Sequence, residues 1–318
     1  MTQFAEKMLV IFDYSGTLSL EAPRFGRPAN LVRALVESGL YSLGVKTPEI
    51  FWEDIVGPTW IEGSTTAISY KRVMAERIAA LGLAPGATGA EITAAASGFV
   101  NRYLDHSRID PHWRPLLEKL TGDSGAAVVI ATDHYAEATE TIIRYLDSWN
   151  IPARKSGERA EPCLPAGNGR RSPFGQRHTT TDEKGGPVPD SSENNRELSP
   201  PFLFSVANSA DIGFWKADRR FWEVLKSRLP LETVRSVLII DDFGFNEDQG
   251  DRYGEWAGIE ARQEKTVTVL GEVFQAEVEV IPFFLKGSER EDAPALRIAE
   301  TGGRIGRFLN SADGTKNL

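Results

Sequence analysis

Three short apolar runs constrain this chain more than anything else in it: MLVIF before Asp13, AAVVIAT from Ala126 to Thr132, and VLII before Asp241 and Asp242. None of them alternates apolar with polar residues. A strand that is apolar at every position is buried on both faces, the situation of parallel strands covered by helices above and below. Apolar residues at helical spacing follow the second run in AEATETIIRYLDSW and recur in KADRRFWEVLKSRL after Trp215. Strand alternating with helix in this way predicts an α/β fold built on a doubly wound parallel sheet. FLFSVANS, Phe202 to Ser209, reads as a weaker strand, and TVTVL and VEVIPFF supply later strand candidates.

The region from Leu20 to about residue 110 has a different pattern. RPANLVRALVESGL, AISYKRVMAERIAAL and GAEITAAASGFVNRYL are amphipathic and separated by Gly- and Pro-containing turns, so a mainly helical module, residues 20–110, is expected between the first two strands. DPHWRPLLEKL is a Pro-started helix leading into the second strand. The α/β core is then expected from residues 1–19 and 111–309, with a loose tail at 310–318. Between Pro152 and Pro201 the composition shifts to Gly, Pro, Ser, Asn and charge. Such a stretch buries too little apolar surface to offset its ordering entropy, and it is expected to be a disordered insertion. It joins a helix to a strand, at the sheet edge opposite the one where ligands gather.

Composition narrows the partners. The chain has 318 residues, 41% hydrophobic and 25% charged, and a formal net charge of -9. That charge argues against nucleic acid and anionic membrane, which recruit clustered Lys and Arg, and leaves a small molecule as the expected partner. The single cysteine, Cys163, excludes an internal disulfide framework and a cysteine zinc site, and fits a reducing compartment. The apolar run after Lys7 is too short for a leader or a membrane span, so a cytoplasmic protein is expected. Oligomeric state is left open.

Asp13, Thr132, Asp241 and Asp242 all fall at or just after the carboxyl ends of expected strands, where an open α/β sheet gathers its ligand site. An unpaired buried carboxylate is costly, so several together imply a cation. At these residues the chain resembles the haloacid dehalogenase-like (HAD) superfamily. DYSGT resembles that family's nucleophile loop, usually Asp-x-Asp-Gly-Thr or Val; VVIATD its second motif; SADIGFWKADRRFWEVL its lysine segment, with Ala217 in place of the usual Pro; and IIDDFGFNED its acidic fourth motif. The four occur in family order, with a helical insertion where the family places a cap.

The resemblance implies a Rossmann-like core and a set of roles. Asp13 would be the nucleophile that forms a covalent aspartyl intermediate on a small phosphorylated metabolite. Thr132 and nearby backbone N–H groups would hold the transferring group, with Asp133 and His134 beside them as further substrate contacts. Lys216 would neutralise charge shared by Asp13 and substrate. Mg2+ would be held by Asp13, Asp242 and the main-chain carbonyl of Ser15. Glu247 is implied as the second acid of the fourth motif, with Asp251 as the fallback, while Asp241 replaces the usual Gly and contacts either metal or Lys216.

Ser15 departs from the family. Phosphatases of this type carry a second Asp there, which protonates the leaving group and then activates water, and a serine hydroxyl cannot match it near neutral pH. Three outcomes remain open: a slow or substrate-assisted phosphatase, another HAD chemistry such as phosphotransfer or C–X cleavage, and a binding or regulatory protein without efficient turnover. Substrate contacts from the helical module are sought among Arg24, Trp60, Glu62, Tyr70, Lys71 and Arg72. Arg24, closest in sequence to the nucleophile loop, is the preferred one. His134 is a candidate replacement acid, with a surface helical position as its alternative.

Overall fold

The computed structural model describes residues 7–122, 126–158, 204–229, 233–247, 256–285 and 292–311. The chain starts with β1 (Lys7–Phe12) and passes into helices α1 (Glu21–Phe25) and α2 (Pro28–Ser38). A single π-helical stretch, Ile50–Val56, runs directly into α3 (Gly57–Thr65), followed by α4 (Tyr70–Leu81) and α5 (Gly89–His106). A 3-10 turn, Pro111–Trp113, opens α6 (Arg114–Thr121), which leads to β2 (Ala126–Thr132), α7 (Glu137–Ser148) and a short edge strand β3 (Ala153–Lys155). Then come β4 (Phe204–Asn208), α8 (Ser209–Ile212), α9 (Arg219–Arg228), β5 (Val234–Asp241), α10 (Trp256–Phe274), β6 (Glu277–Pro282) and α11 (Ala293–Ser311).

All six strands run parallel in the order β3-β4-β2-β1-β5-β6. Met8, Val10 and Phe12 point to one face, against Trp113 and Leu117 of the 3-10 turn and α6, Ile142 of α7 and Ile305 of α11. Leu9 and Ile11 point to the other, against Phe221 and Trp222 of α9 and Leu270 of α10. The uninterrupted apolar runs are thus explained: every side chain on the central strand meets a helix layer, as in a doubly wound fold. From β1 the chain moves to β2, goes on to the edge strand β3, returns to fill the gap with β4, and then crosses to β5 and β6 on the other side of β1. The carboxyl ends of β1, β2, β4 and β5 therefore surround a topological switch point.

The helices between β1 and β2 have an apolar cluster of their own, centred on Phe25, Leu31, Leu35, Phe51, Tyr70, Ile78 and Phe99. The two chain connections to this module lie side by side. Asp110 N–H donates to the Leu18 carbonyl at 2.8 Å, Trp113 Nε1–H donates to the Thr17 carbonyl at 3.0 Å, and the Tyr14 hydroxyl donates to the Ser107 carbonyl. Glu137 at the start of α7 accepts from Ser69 Oγ at 2.6 Å and from the N–H groups of Tyr70 and Lys71, so a core carboxylate caps the N-terminus of α4.

Two expectations on local structure are corrected. TVTVL lies inside α10, because Ile259, Thr266, Leu270 and Val273 form one buried helical stripe whose packing overrides the β preference of alternating Thr and Val. The expected disordered insertion begins too early at Pro152: residues 153–155 add β3 to the sheet edge beside β4. Residues 159–201 of that segment lie outside the described residues, as does the tail from residue 312, the expected loose tail starting late because α11 runs to Ser311. Among the described residues no helix is long and apolar enough to cross a membrane.

Candidate active site

Asp13 leaves the end of β1 with its N–H donated to the Ile240 carbonyl of β5 at 2.8 Å, which sets its side chain beside the end of that strand. Asp241 and Asp242 arrive there from β5. One carboxylate oxygen from each of the three lies within 4.8 Å of the others, and all three residues are buried. Lys216, from the loop between α8 and α9, ion-pairs with Asp13 Oδ1 and reaches Asp241 Oδ2 at 2.9 Å. Its position is fixed from three directions. Its N–H donates to Asp133 Oδ1 at 2.9 Å, its carbonyl accepts Trp222 Nε1–H at 2.7 Å, and the Trp215 indole before it donates to Ser64 Oγ of α3 at 2.8 Å.

The loops that shape the cluster are themselves tied together. Gly16 has φ +78°, and a Cβ there would fall 2.7 Å from the carboxylate carbon of Asp242, so the missing side chain is what lets Asp242 sit against the loop after β1. Asp242 accepts from Asn246 N–H at 2.8 Å, and its own N–H donates to Thr17 Oγ1 at 3.1 Å. Asn246 is the knot: Nδ2 donates to the carbonyls of Gly16 at 2.7 Å and Phe283 at 2.8 Å, while Oδ1 accepts Leu285 N–H at 2.9 Å. One amide joins the ends of β1, β5 and β6.

Three carboxylates beside one ammonium leave two negative charges uncompensated in a buried site. Burial pushes Asp13 up from 3.8 to about 8, against the pull of Lys216 and with a further push from Asp241. Burial, then Asp13, Asp241 and Glu247, hold Asp242 well above the ordinary carboxylate range. A hard dication accounts for this surplus: it favours carboxylate oxygens, and two positive charges match the two left over. The residues present therefore fit a divalent metal.

Several expected residues take other places. Glu247 lies outside the carboxylate cluster; its Oε1 accepts the Ser15 hydroxyl at 3.3 Å, so a carboxylate stands next to the position where the usual acid is missing. Asp251 is outside the described residues. Asp133 Oδ1 accepts the Lys216 main-chain N–H, and burial raises its carboxyl to about 6 against the pull of Lys216. Thr132 ends β2, buried, in register with Asn208. His134 is neither on a helix nor on the surface. Its Nδ1 accepts Tyr135 N–H and its Nε2 meets the Tyr103 hydroxyl, each at 2.8 Å, while burial lowers its pKa to about 4. Because the His134 and Tyr135 amides are bonded to Ser209 Oγ and to His134, they are not offered to a substrate. Arg24 is not brought to the cluster: it pairs with Glu21 at 2.6 Å, in a separate polar cleft lined by Asn30, Arg33, Glu37 and Arg102. Nearness in sequence to the nucleophile loop did not become nearness in space, because α1 turns that side chain along the helical module.

No family model matches the chain, and no curated protein matches it. Among solved structures it is similar to the HAD-hydrolase YfnB from Bacillus subtilis bound to magnesium, at 12% identity, with 81% of this chain and 84% of that chain covered and a TM-score of 0.39. It is also similar to the 2-haloacid dehalogenase from Pseudomonas syringae pv. Tomato DC3000, at 15% identity, with 94% and 99% of the two chains covered and a TM-score of 0.43.

Proposed function

We propose that this chain is a HAD-like, Mg2+-dependent hydrolase that removes a phosphoryl group from a small phosphorylated metabolite through Asp13. The observation that carries this reading is the Lys216 ammonium held between Asp13 and Asp241 with the Asp242 carboxylate alongside, all at the switch point of a parallel sheet. Phosphoryl transfer asks a protein chiefly for positioning and for positive charge where oxygen charge accumulates, and this arrangement supplies both. Asp13, Asp242 and the Ser15 carbonyl would hold Mg2+, with Asp241 kept on Lys216; the ion, when bound, neutralises the carboxylates and polarises phosphoryl oxygens.

In the first half-reaction an Asp13 carboxylate oxygen forms a bond to phosphorus and the bond to the leaving oxygen breaks, its electron pair departing with that oxygen. Lys216 stabilises the charge shared by Asp13 and the phosphoryl group, and the hydroxyl of Thr132, the last residue of β2, is assigned to hold that group. In the second half-reaction water attacks the aspartyl phosphate, releasing phosphate and restoring Asp13. Ser15 offers no acid for the first step and no base for the second.

The test is chemical trapping. Full-length protein with Mg2+ and acetyl phosphate should acquire one base-labile, hydroxylamine-sensitive phosphoryl group, absent in Asp13→Asn, and should release phosphate. Ser15→Asp should raise turnover by about two to four decades, the usual worth of general acid-base help. No adduct and no phosphate release in either wild type or Ser15→Asp would overturn the reading.

A further inference from the structure

A wall of aromatic side chains stands beside the carboxylate cluster, contributed by the helical module and by the loop after β2. Tyr135, three residues past Thr132, lies with its ring 3.7 Å from that of Tyr70 at an interplanar angle of 2°. Trp60 of α3 meets Tyr135 edge-on at 5.5 Å, and Tyr103 of α5 lies 6.3 Å from it. Tyr70 itself is buried; the absence of a side chain at Gly63 makes room for it, since a Cβ there would clash with the Tyr70 ring. Trp60, Tyr103 and Tyr135 are only half-buried. Tyr70 thus backs the wall, while Trp60, Tyr103 and Tyr135 keep part of their surface exposed.

Its neighbours place it next to the reacting groups. Tyr103 is fixed by the hydrogen bond to His134, whose ring lies 6.1 Å from that of Tyr14, the residue after Asp13. Trp60 is one turn before Ser64, which carries the Trp215 indole adjacent to Lys216. The charges that act on these hydroxyls are anionic: Glu247 and Asp13 on Tyr103, and Glu137 on Tyr135 and Tyr70. The ring surfaces themselves favour a flat, apolar partner.

We propose that this wall holds the leaving group, and that the substrate class is an aryl phosphate monoester, a phosphate carried on an uncharged aromatic or similarly planar, acidic hydroxyl. The proposal rests on the phosphoryl-transfer reading of Asp13 and names its substrate class. It also accounts for Ser15. When the Asp13 oxygen bonds to phosphorus and the P–O bond breaks, an alkyl leaving group departs as an alkoxide whose conjugate acid has a pKa of about 16, as for water, and needs a proton in flight. A phenol, with a pKa of about 10, leaves as the phenolate and takes its proton from solvent afterwards. A site without a carboxylic acid at position 15 is suited to a leaving group that does not need one, and an aromatic wall is the surface that binds it.

Two measurements on the full chain with Mg2+ test this. First, kcat/KM for phenyl phosphate and para-substituted phenyl phosphates should exceed that for glycerol phosphate and a hexose phosphate by about 100-fold, the scale of the missing acid catalysis, and should rise steeply as the phenol becomes more acidic. Second, phenylphosphonate should compete about tenfold better than methylphosphonate, the worth of one or two aromatic contacts, and Trp60→Ala should collapse that ratio. Trp60→Phe, which keeps a ring in the module's core, should retain most of it. Alkyl esters cleaved as readily as aryl esters while the Asp13 adduct still forms, or equal binding of the two phosphonates, would overturn the proposal and leave the phosphoryl-transfer reading standing. Absence of hydrolysis of every ester together with absence of the adduct would overturn both.

Discussion

Removing the charge of Asp13 without changing its shape should make the metal-free protein more stable. The fold raises Asp13 from 3.8 to about 8, chiefly by burial, so the folded state binds that proton more tightly than the unfolded chain does. A group raised in this way contributes stability that is complete below its unfolded pKa and is lost as pH climbs through its folded one. At pH 7 the gap from 3.8 is about three units, and at 1.36 kcal/mol per unit the lost contribution is about 4 kcal/mol. Asp13→Asn removes that loss. It also gives up the charge-assisted bond to Lys216, about 2 kcal/mol, although Lys216 keeps Asp241 at 2.9 Å.

The expected net gain is about 2 kcal/mol, or a Tm higher by about 4 °C in a protein of this size. The assay is thermal unfolding of chelator-treated protein at pH 5 and pH 7, with and without MgCl2. At pH 5 the gap shrinks to about one unit and the advantage of Asn should vanish. Added Mg2+ should raise the Tm of wild type, since an ion bound only by the folded state stabilises it by mass action, and should raise that of Asp13→Asn much less. An Asp13→Asn protein less stable than wild type at pH 7 in chelator, together with an undiminished response to Mg2+, would refute the reasoning that excess buried negative charge defines this site.

Two further substitutions test the surroundings of the cluster. Asn246→Ala should cost about 3 kcal/mol in denaturant unfolding, because the carbonyls of Gly16 and Phe283 and the N–H of Leu285 lose their partner at once; a cost below 1 kcal/mol would show that these loops hold without it. His134 is lowered by burial to about 4 from 6.5, so the stability it contributes is present above pH 6.5 and lost as pH falls through 4, by about 3 kcal/mol in all. The wild-type minus His134→Gln difference in unfolding free energy should therefore shrink by that amount between pH 7 and pH 4, and a difference independent of pH would contradict the neutral, buried histidine.

The parts of the fold that were legible in the sequence are those where a single physical demand acts on every residue of a segment. β1, β2 and β5 are covered on both faces, so their apolar runs could be read directly, and the acids that end them mark the site because a strand tip is where a buried sheet meets its ligand. Asp13, Asp241 and Asp242 were singled out this way, and their carboxylates converge within 4.8 Å of one another; Lys216, which pairs with two of them, was reached through the family resemblance instead. What escaped depends on partners distant in sequence. Asn246 looks like an ordinary loop residue until three strand ends converge on it, and nothing near Asp133 in sequence announces the Lys216 amide, 83 positions later, that bonds it. Tyr103 carries no signal beyond the apolar stripe of α5. β3 is three residues long, below what periodicity can resolve, and the Thr-Val alternation in α10 yielded to the helix packing around it.

Ser15 remains the residue that most affects how such a site works, and its influence falls unequally on the two half-reactions. On the proposed reading the groups that would stabilise charge on the phosphoryl oxygens are Lys216, which pairs with Asp13, Thr132 at the tip of β2, and a dication held by the carboxylates. What is lost is proton transfer, and an acidic leaving group removes the need for it only in the first step. Hydrolysis of the aspartyl phosphate still requires a water to be deprotonated, with no carboxylate at position 15 to do it and with Glu247 already accepting the Ser15 hydroxyl at 3.3 Å. On the proposed reading the second step is therefore the slow one, and the phosphorylated form of Asp13 accumulates during turnover. That asymmetry is why trapping the adduct discriminates better than measuring released phosphate: a protein that phosphorylates quickly and hydrolyses slowly gives a strong signal in the first assay and a weak one in the second. It also separates a slow hydrolase from a protein that only binds, which would give neither.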